Sequence, residues 1–88
     1  MTNTWKGEEY TDDEVEEIFE LMYQVMTEAN GGFADYAKTY AEHSWQAFMD
    51  DGHRGLQMQI PYVLSNLQGW KGDLARKIKL DLKKFLAE

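Results

Sequence analysis

The apolar residues of this chain recur at spacings of three and four in four separate stretches. A period near 3.6 puts such residues on one stripe of a helix, whereas a half-buried strand needs a period of two. That pattern confines the chain to an all-α fold. Three clusters separate the stretches: Asn30-Gly31-Gly32, Asp50-Asp51-Gly52 and Gly69-Trp70-Lys71-Gly72. Helices commonly close on a residue of positive φ, so each cluster fits a short helix-to-helix turn. With 88 residues there is room for one small domain, and 43% apolar residues with a single proline make it globular. The expected architecture is a small four-helix bundle with short Gly-containing turns. Its helices fall at about 12–29, 33–49, 54–67 and 73–87, after an N-terminal lead-in over 1–10.

Local signals sharpen three of these helices. Thr11 followed three residues on by Glu14 is a capping box, and Asp12 and Asp13 suit the positive end of the helix dipole. Val15, Ile18, Phe19, Met22, Val25, Met26 and Ala29 then form the first stripe. In the second, Phe33, Tyr36, Ala37, Tyr40, Ala41, Ser44, Ala47 and Phe48 share a face whose small centre admits a close neighbour. Gly72-Asp73 opens the last helix, with Leu74, Ala75, Ile78, Leu82, Phe85 and Leu86 on its apolar arc and Lys83 and Lys84 at its negative end. The third is ambiguous because Pro61 interrupts the stripe Leu56, Ile60, Val63, Leu64 and Leu67. Proline cannot donate to the carbonyl four residues back and disfavours helical geometry before it. The expectation is a helix kinked at Pro61 or started there, with the continuing stripe favouring the kink.

Charge is divided along the chain. Residues 1–53 carry 13 acids and 2 lysines, net −11, while residues 54–88 carry 3 acids and 7 bases, net +4. Asp13, Glu16, Glu17 and Glu20 lie on the first helix opposite its apolar stripe, and none of the three glutamates has a lysine four residues on. Such a face is either solvated or turned toward a basic partner, and like charges at this spacing favour the partner. The helical spacing of about 5–6 Å approximates that of phosphates on a nucleic-acid strand, so the face could occupy a groove built for DNA. Arg76, Lys77, Lys79, Lys83 and Lys84 give the last helix a basic side. Two readings are open for it, nucleic-acid contact or complement to the acidic helix. A net charge of −7 makes direct nucleic-acid binding the weaker one.

Several chemistries lack the residues they need. There is no cysteine, which excludes disulfides, thiol catalysis and thiolate metal sites. Asp50-Asp51 does not begin a calcium loop, since the twelfth position, Pro61, cannot supply a bidentate carboxylate. His43 and His53 lie ten apart without metal-ligand spacing, and no glycine-rich phosphate loop or nucleophile elbow occurs. The expectation is no enzyme, no cofactor and no metal. No apolar run reaches the ~18 residues of a membrane span and the N-terminus lacks a signal-peptide core, so the expected compartment is the cytoplasm.

Apolar residues off the stripes supply the remaining candidates. Trp45 and Met49 stand four apart, as do Met58 and Tyr62, and Leu80 sits among lysines. Trp5 and Tyr10 precede the first helix, where they can staple the lead-in to the bundle. Trp45, Met49, Met58 and Tyr62 either widen the buried stripes or form a binding surface, since exposed clusters of Trp, Tyr and Met mark interfaces. In size, charge and lack of cysteine the chain is similar in kind to small inhibitors encoded by phages and mobile elements, such as anti-CRISPR, anti-restriction and polymerase-binding proteins. That likeness of class implies a non-enzymatic module. It would bind a basic, nucleic-acid-handling protein of the host cell through Asp13, Glu16, Glu17 and Glu20 together with the aromatic residues. The alternatives are a structural homo-oligomer, a homodimer burying Trp45, Met49, Met58 and Tyr62, and a nucleic-acid binder acting through the basic C-terminal helix.

Overall fold

The computed structural model describes residues 10–86. Trp5, Glu8 and Glu9 of the lead-in, and the last residue of the expected fourth helix, lie outside them. The described residues form three helices, α1 (Asp12–Glu28), α2 (Ala34–Ser65) and α3 (Asp73–Lys83), and no strand. The all-α class stands.

α1 starts where its capping box places it. The Thr11 hydroxyl accepts from the Glu14 N–H at 3.1 Å, and the Glu14 carboxylate accepts from the Thr11 N–H at 2.9 Å. Two of the four orphan donors of the helix start are thereby satisfied.

The expected count of four helices is corrected to three. The second and third are arms of one element, 34–51 and 53–65, joined through a single non-helical residue, Gly52, at φ 66° and ψ −144°. A straight helix of 32 residues would be about 48 Å long. The longest extent of the molecule is 41 Å, and contacts between its two arms show that α2 folds back on itself. Two contacts show how. The Tyr40 and Tyr62 rings stack at 5.2 Å, and a Cβ on Gly55 would overlap the Ala47 carbonyl oxygen and lie 2.8 Å from its carbon. Both pairs are centred on position 51, next to Gly52, so the arms run antiparallel. Only glycine enters this left-handed backbone region at little cost.

The kink or start expected at Pro61 is also corrected. α2 passes through Pro61 with helical dihedrals, and the one departure from helical backbone is at Gly52. Pro61 is exposed, while Leu56, Ile60, Val63 and Leu67 are buried on either side of it. On the solvent side of a helix, carbonyls already tilt outward to water, and a missing N–H costs less there.

The core lies where the helices meet. α1 contributes Ile18, Leu21, Met22 and Val25, and α3 contributes Ala75, Ile78 and Leu82. The first arm of α2 supplies only small residues, Ala34, Ala37, Ala41 and Ser44, which lets the second arm and α1 approach it closely. The stripe expected on this arm is therefore rotated: Phe33 and Tyr36 are exposed, at 56% and 61%. Trp70, in the loop before α3, is buried and seals the end of the core. Tyr10 closes the other end. Its hydroxyl donates to the Phe85 carbonyl at 2.7 Å, and its N–H donates to His53 Nδ1 at 2.9 Å, one residue past the bend. Burial raises the Tyr10 pKa to about 12.

Candidate functional site

α3 sorts its charges onto two sides. Residues one apart on a helix point about 100° from each other. Lys77, Asp81 and Lys84 fall on one side, and Arg76, Lys79, Leu80 and Lys83 on the other. The basic side expected from the sequence is thus two different surfaces.

The first surface faces α1. Asp13, Glu16, Glu17 and Glu20 line a shallow groove of about 520 Å³ with Asp81 and Lys77. Five carboxylates share it with few cations. Lys84 Nζ lies 3.5 Å from Glu17 Oε2, and Lys77 Nζ donates to Asp81 at 2.9 Å. The Asp81 carboxylate raises the pKa of the Lys77 ammonium. Glu17 has a cross-helix partner after all, one that spacing along α1 alone does not reveal. Asp13, Glu16 and Glu20 are exposed, with no ion pair among the described residues. Tyr23, three residues past Glu20 on the same face, is 60% exposed and extends the acidic stripe with an aromatic ring. Its place off the apolar stripe was the signal that could have singled it out.

The second surface is basic and apolar. Two adjoining hollows, of about 550 and 560 Å³, share Gln68, Lys79 and Lys83. Trp70 and Leu80 line one, and Pro61, Leu64 and Leu86 the other. Lys79 is anchored in the floor, donating to the carbonyls of Trp70 at 2.8 Å and Leu67 at 3.2 Å.

The four apolar candidates separate into two pairs. Trp45 is half-buried and stacks on Phe19 of α1 at 5.0 Å, with Met49 one turn on and 78% exposed. Met58 and Tyr62 are exposed one turn apart, and Tyr62 stacks on Tyr40, which points about 140° away from Trp45 around the first arm. Phe33 and Tyr36, in ring contact at 6.4 Å, continue that side. On this side of the α2 hairpin Phe33, Tyr36 and Tyr62 are exposed around a half-buried Tyr40, with Met58 exposed one turn before Tyr62; of these the sequence assigned Phe33 and Tyr36 to the core and the structure does not.

Among the described residues no group of three or more His, Asp or Glu is placed to hold a metal ion. His53 Nδ1 is occupied as an acceptor, and His43 is exposed. No described helix is long and apolar enough to cross a membrane. Compared with protein-family models, curated proteins and solved structures, the chain matches none.

Proposed function

We propose that the chain is a non-enzymatic binding module that engages a basic surface of a partner protein through the α1 face. The partner class is a nucleic-acid-handling protein, whose groove for phosphates would accept the carboxylates instead. The observation that carries this reading is the α1–α3 groove, where Asp13, Glu16, Glu17, Glu20 and Asp81 converge from two helices. Tyr23 at the end of the stripe supplies the aromatic anchor that charge alone lacks. Binding would be steered electrostatically and eroded by salt, because the screening length at physiological ionic strength is about 8 Å.

The test is affinity capture from the native host, followed by kinetics on the captured protein. Glu16→Gln with Glu20→Gln keeps shape and the Glu17–Lys84 pair. The variant should melt at or above the wild-type temperature and bind with a slower association rate, a difference that vanishes at high salt. Equal association rates at low salt overturn the reading.

A second reading, a structural homo-oligomer, draws on a different observation, the exposed Phe33, Tyr36, Tyr62 and Met58 on the α2 hairpin. Sedimentation equilibrium at micromolar concentration distinguishes it. A mass near twice 10.3 kDa that falls on Tyr62→Ser favours the oligomer. Nucleic-acid binding through α3 would rest on Arg76 and Lys83 alone, since Lys77 and Lys84 face carboxylates and the Lys79 ammonium is held by backbone carbonyls.

A further inference from the structure

We propose that the basic and apolar groove between α3 and the C-terminal arm of α2 binds an acidic amphipathic helix presented by a partner protein. The juxtaposition behind this is Lys71, Arg76 and Lys83 set around Leu80, Leu64 and Leu86.

Charge complementarity selects the occupant. The chain is net −7, yet no carboxylate lines either hollow, and the lining cations are Lys71, Arg76, Lys79 and Lys83. Lys71 and Lys83 form no ion pair among the described residues, and the Arg76 contact to Asp73, at 3.6 Å, lies in solvent and is readily exchanged. Lys79 is already fixed to the Leu67 and Trp70 carbonyls and acts as a rigid positive floor. The apolar component separates a helix from a simple anion. Leu80 is 65% exposed among these cations and, with the half-buried Leu64 and Leu86, gives the trough an apolar strip. The two hollows join through Gln68, Lys79 and Lys83 into a trough along α3. From Arg76 to Lys83 the trough runs about 10 Å, two turns of helix, which matches anchors at i, i+3 or i+4, and i+7. A nucleic acid would satisfy the lysines but not Leu80, and the acidic remainder of the chain would repel its length.

The site is separate from the α1 face, so the two readings fail independently. The test uses fluorescence anisotropy of a labelled peptide of about 18 residues, five turns, with leucines on one face and glutamates on the other. The full chain should bind it, and Lys83→Glu and Leu80→Asp should each weaken binding about tenfold or more. Both positions are exposed, so the variants should keep wild-type circular dichroism and melting. Glu16→Gln with Glu20→Gln should leave this binding unchanged. Equal binding of a leucine–lysine peptide overturns the proposal, as does a leucine–glutamate peptide that ignores both groove variants. Displacement by an equimolar single-stranded oligonucleotide also overturns it. So does self-association of the chain that Lys83→Glu abolishes, because the occupant would then be a second copy.

Discussion

α2 contains both residues known for interrupting helices, and they behave in opposite ways. At Gly52 the chain reverses direction; at Pro61 it runs on. The difference lies in what surrounds each. Around Gly52 the arms are held in contact, with Ala47 against Gly55 on one side and His53 tied to Tyr10 on the other. Around Pro61 the buried Ile60 and Val63 continue one uninterrupted stripe, and the proline itself meets water. A helix breaks where tertiary contacts reward the break, and the intrinsic penalty of a residue only decides how easily it yields.

The largest effect should come from the closeness of the arms. Gly55→Ala drives a methyl group into the Ala47 carbonyl, backbone against backbone, with the Asp51 Cβ 2.9 Å away. No side-chain rotation relieves that overlap, so the overpacking cost exceeds the ~1 kcal/mol gained in helix propensity. We expect a net loss of about 2 kcal/mol, a fall in Tm of roughly eight degrees or more. A melting temperature within two degrees of wild type would show that the arms do not touch and would dissolve the comparison.

The clasp beside the bend titrates. The Tyr10 hydroxyl has its pKa raised from 10.0 to about 12 by burial. The folded state therefore resists the phenolate, and its stability from this group is complete below pH 10 and lost as pH rises through 12. Two units correspond to about 2.7 kcal/mol at most. Chemical denaturation between pH 9 and 12 should show this loss in wild type and a shallower one in Tyr10→Phe. That variant gives up the hydrogen bond to Phe85 and starts about 1 kcal/mol lower at neutral pH. Parallel stability curves for the two would mean that Tyr10 is not held in the fold.

Much of this was legible in the sequence, and the limits have physical causes. The all-α class, the capping box and the Gly52 break follow from spacing and local chemistry, which act within a few residues. Whether Gly52 makes a turn or a sharp hinge depends on Ala47 and Gly55, eight residues apart and without periodic signal. The apolar arc of the first arm was misplaced for a related reason. Phe33 and Tyr36 are the larger hydrophobes, but the core there selects Ala37, Ala41 and Ser44, because two helices crowd that face. At the candidate sites, Asp13, Glu16 and Glu20 are exposed as their spacing implied. The contributions of Asp81, Lys84 and Trp70 come from across the fold, and periodicity within one helix carries no information about them.

The bend itself should respond more locally than the contact behind it. Gly52→Ala forces a side chain into φ 66°, and nothing lies within 4 Å of the new Cβ. The cost is thus conformational alone, about 1–3 kcal/mol. Hydrogen exchange should quicken at His53 and Arg54 while Ile18 and Met22 stay protected. A variant as stable as wild type would mean that the arms can join through ordinary backbone.

The smallest effect belongs to the proline. In a regular helix interior, proline costs about 3 kcal/mol relative to alanine, mostly through the bend it imposes. Here the backbone remains helical and the ring is exposed, so little bending remains to be relieved. Pro61→Ala restores one backbone hydrogen bond, worth about 0.5–1.5 kcal/mol, and frees the unfolded chain by about 0.4–1 kcal/mol. These oppose each other, and the net should be a gain below about 1 kcal/mol with unchanged helix content. A gain of several kcal/mol would show that Pro61 strains the second arm and holds back a straighter helix, which would make it an interruption of the same kind as Gly52. A loss of similar size would show that the ring packs against Leu64 and Leu86 in the hollow it lines, and Pro61 would then belong to the floor of the basic groove.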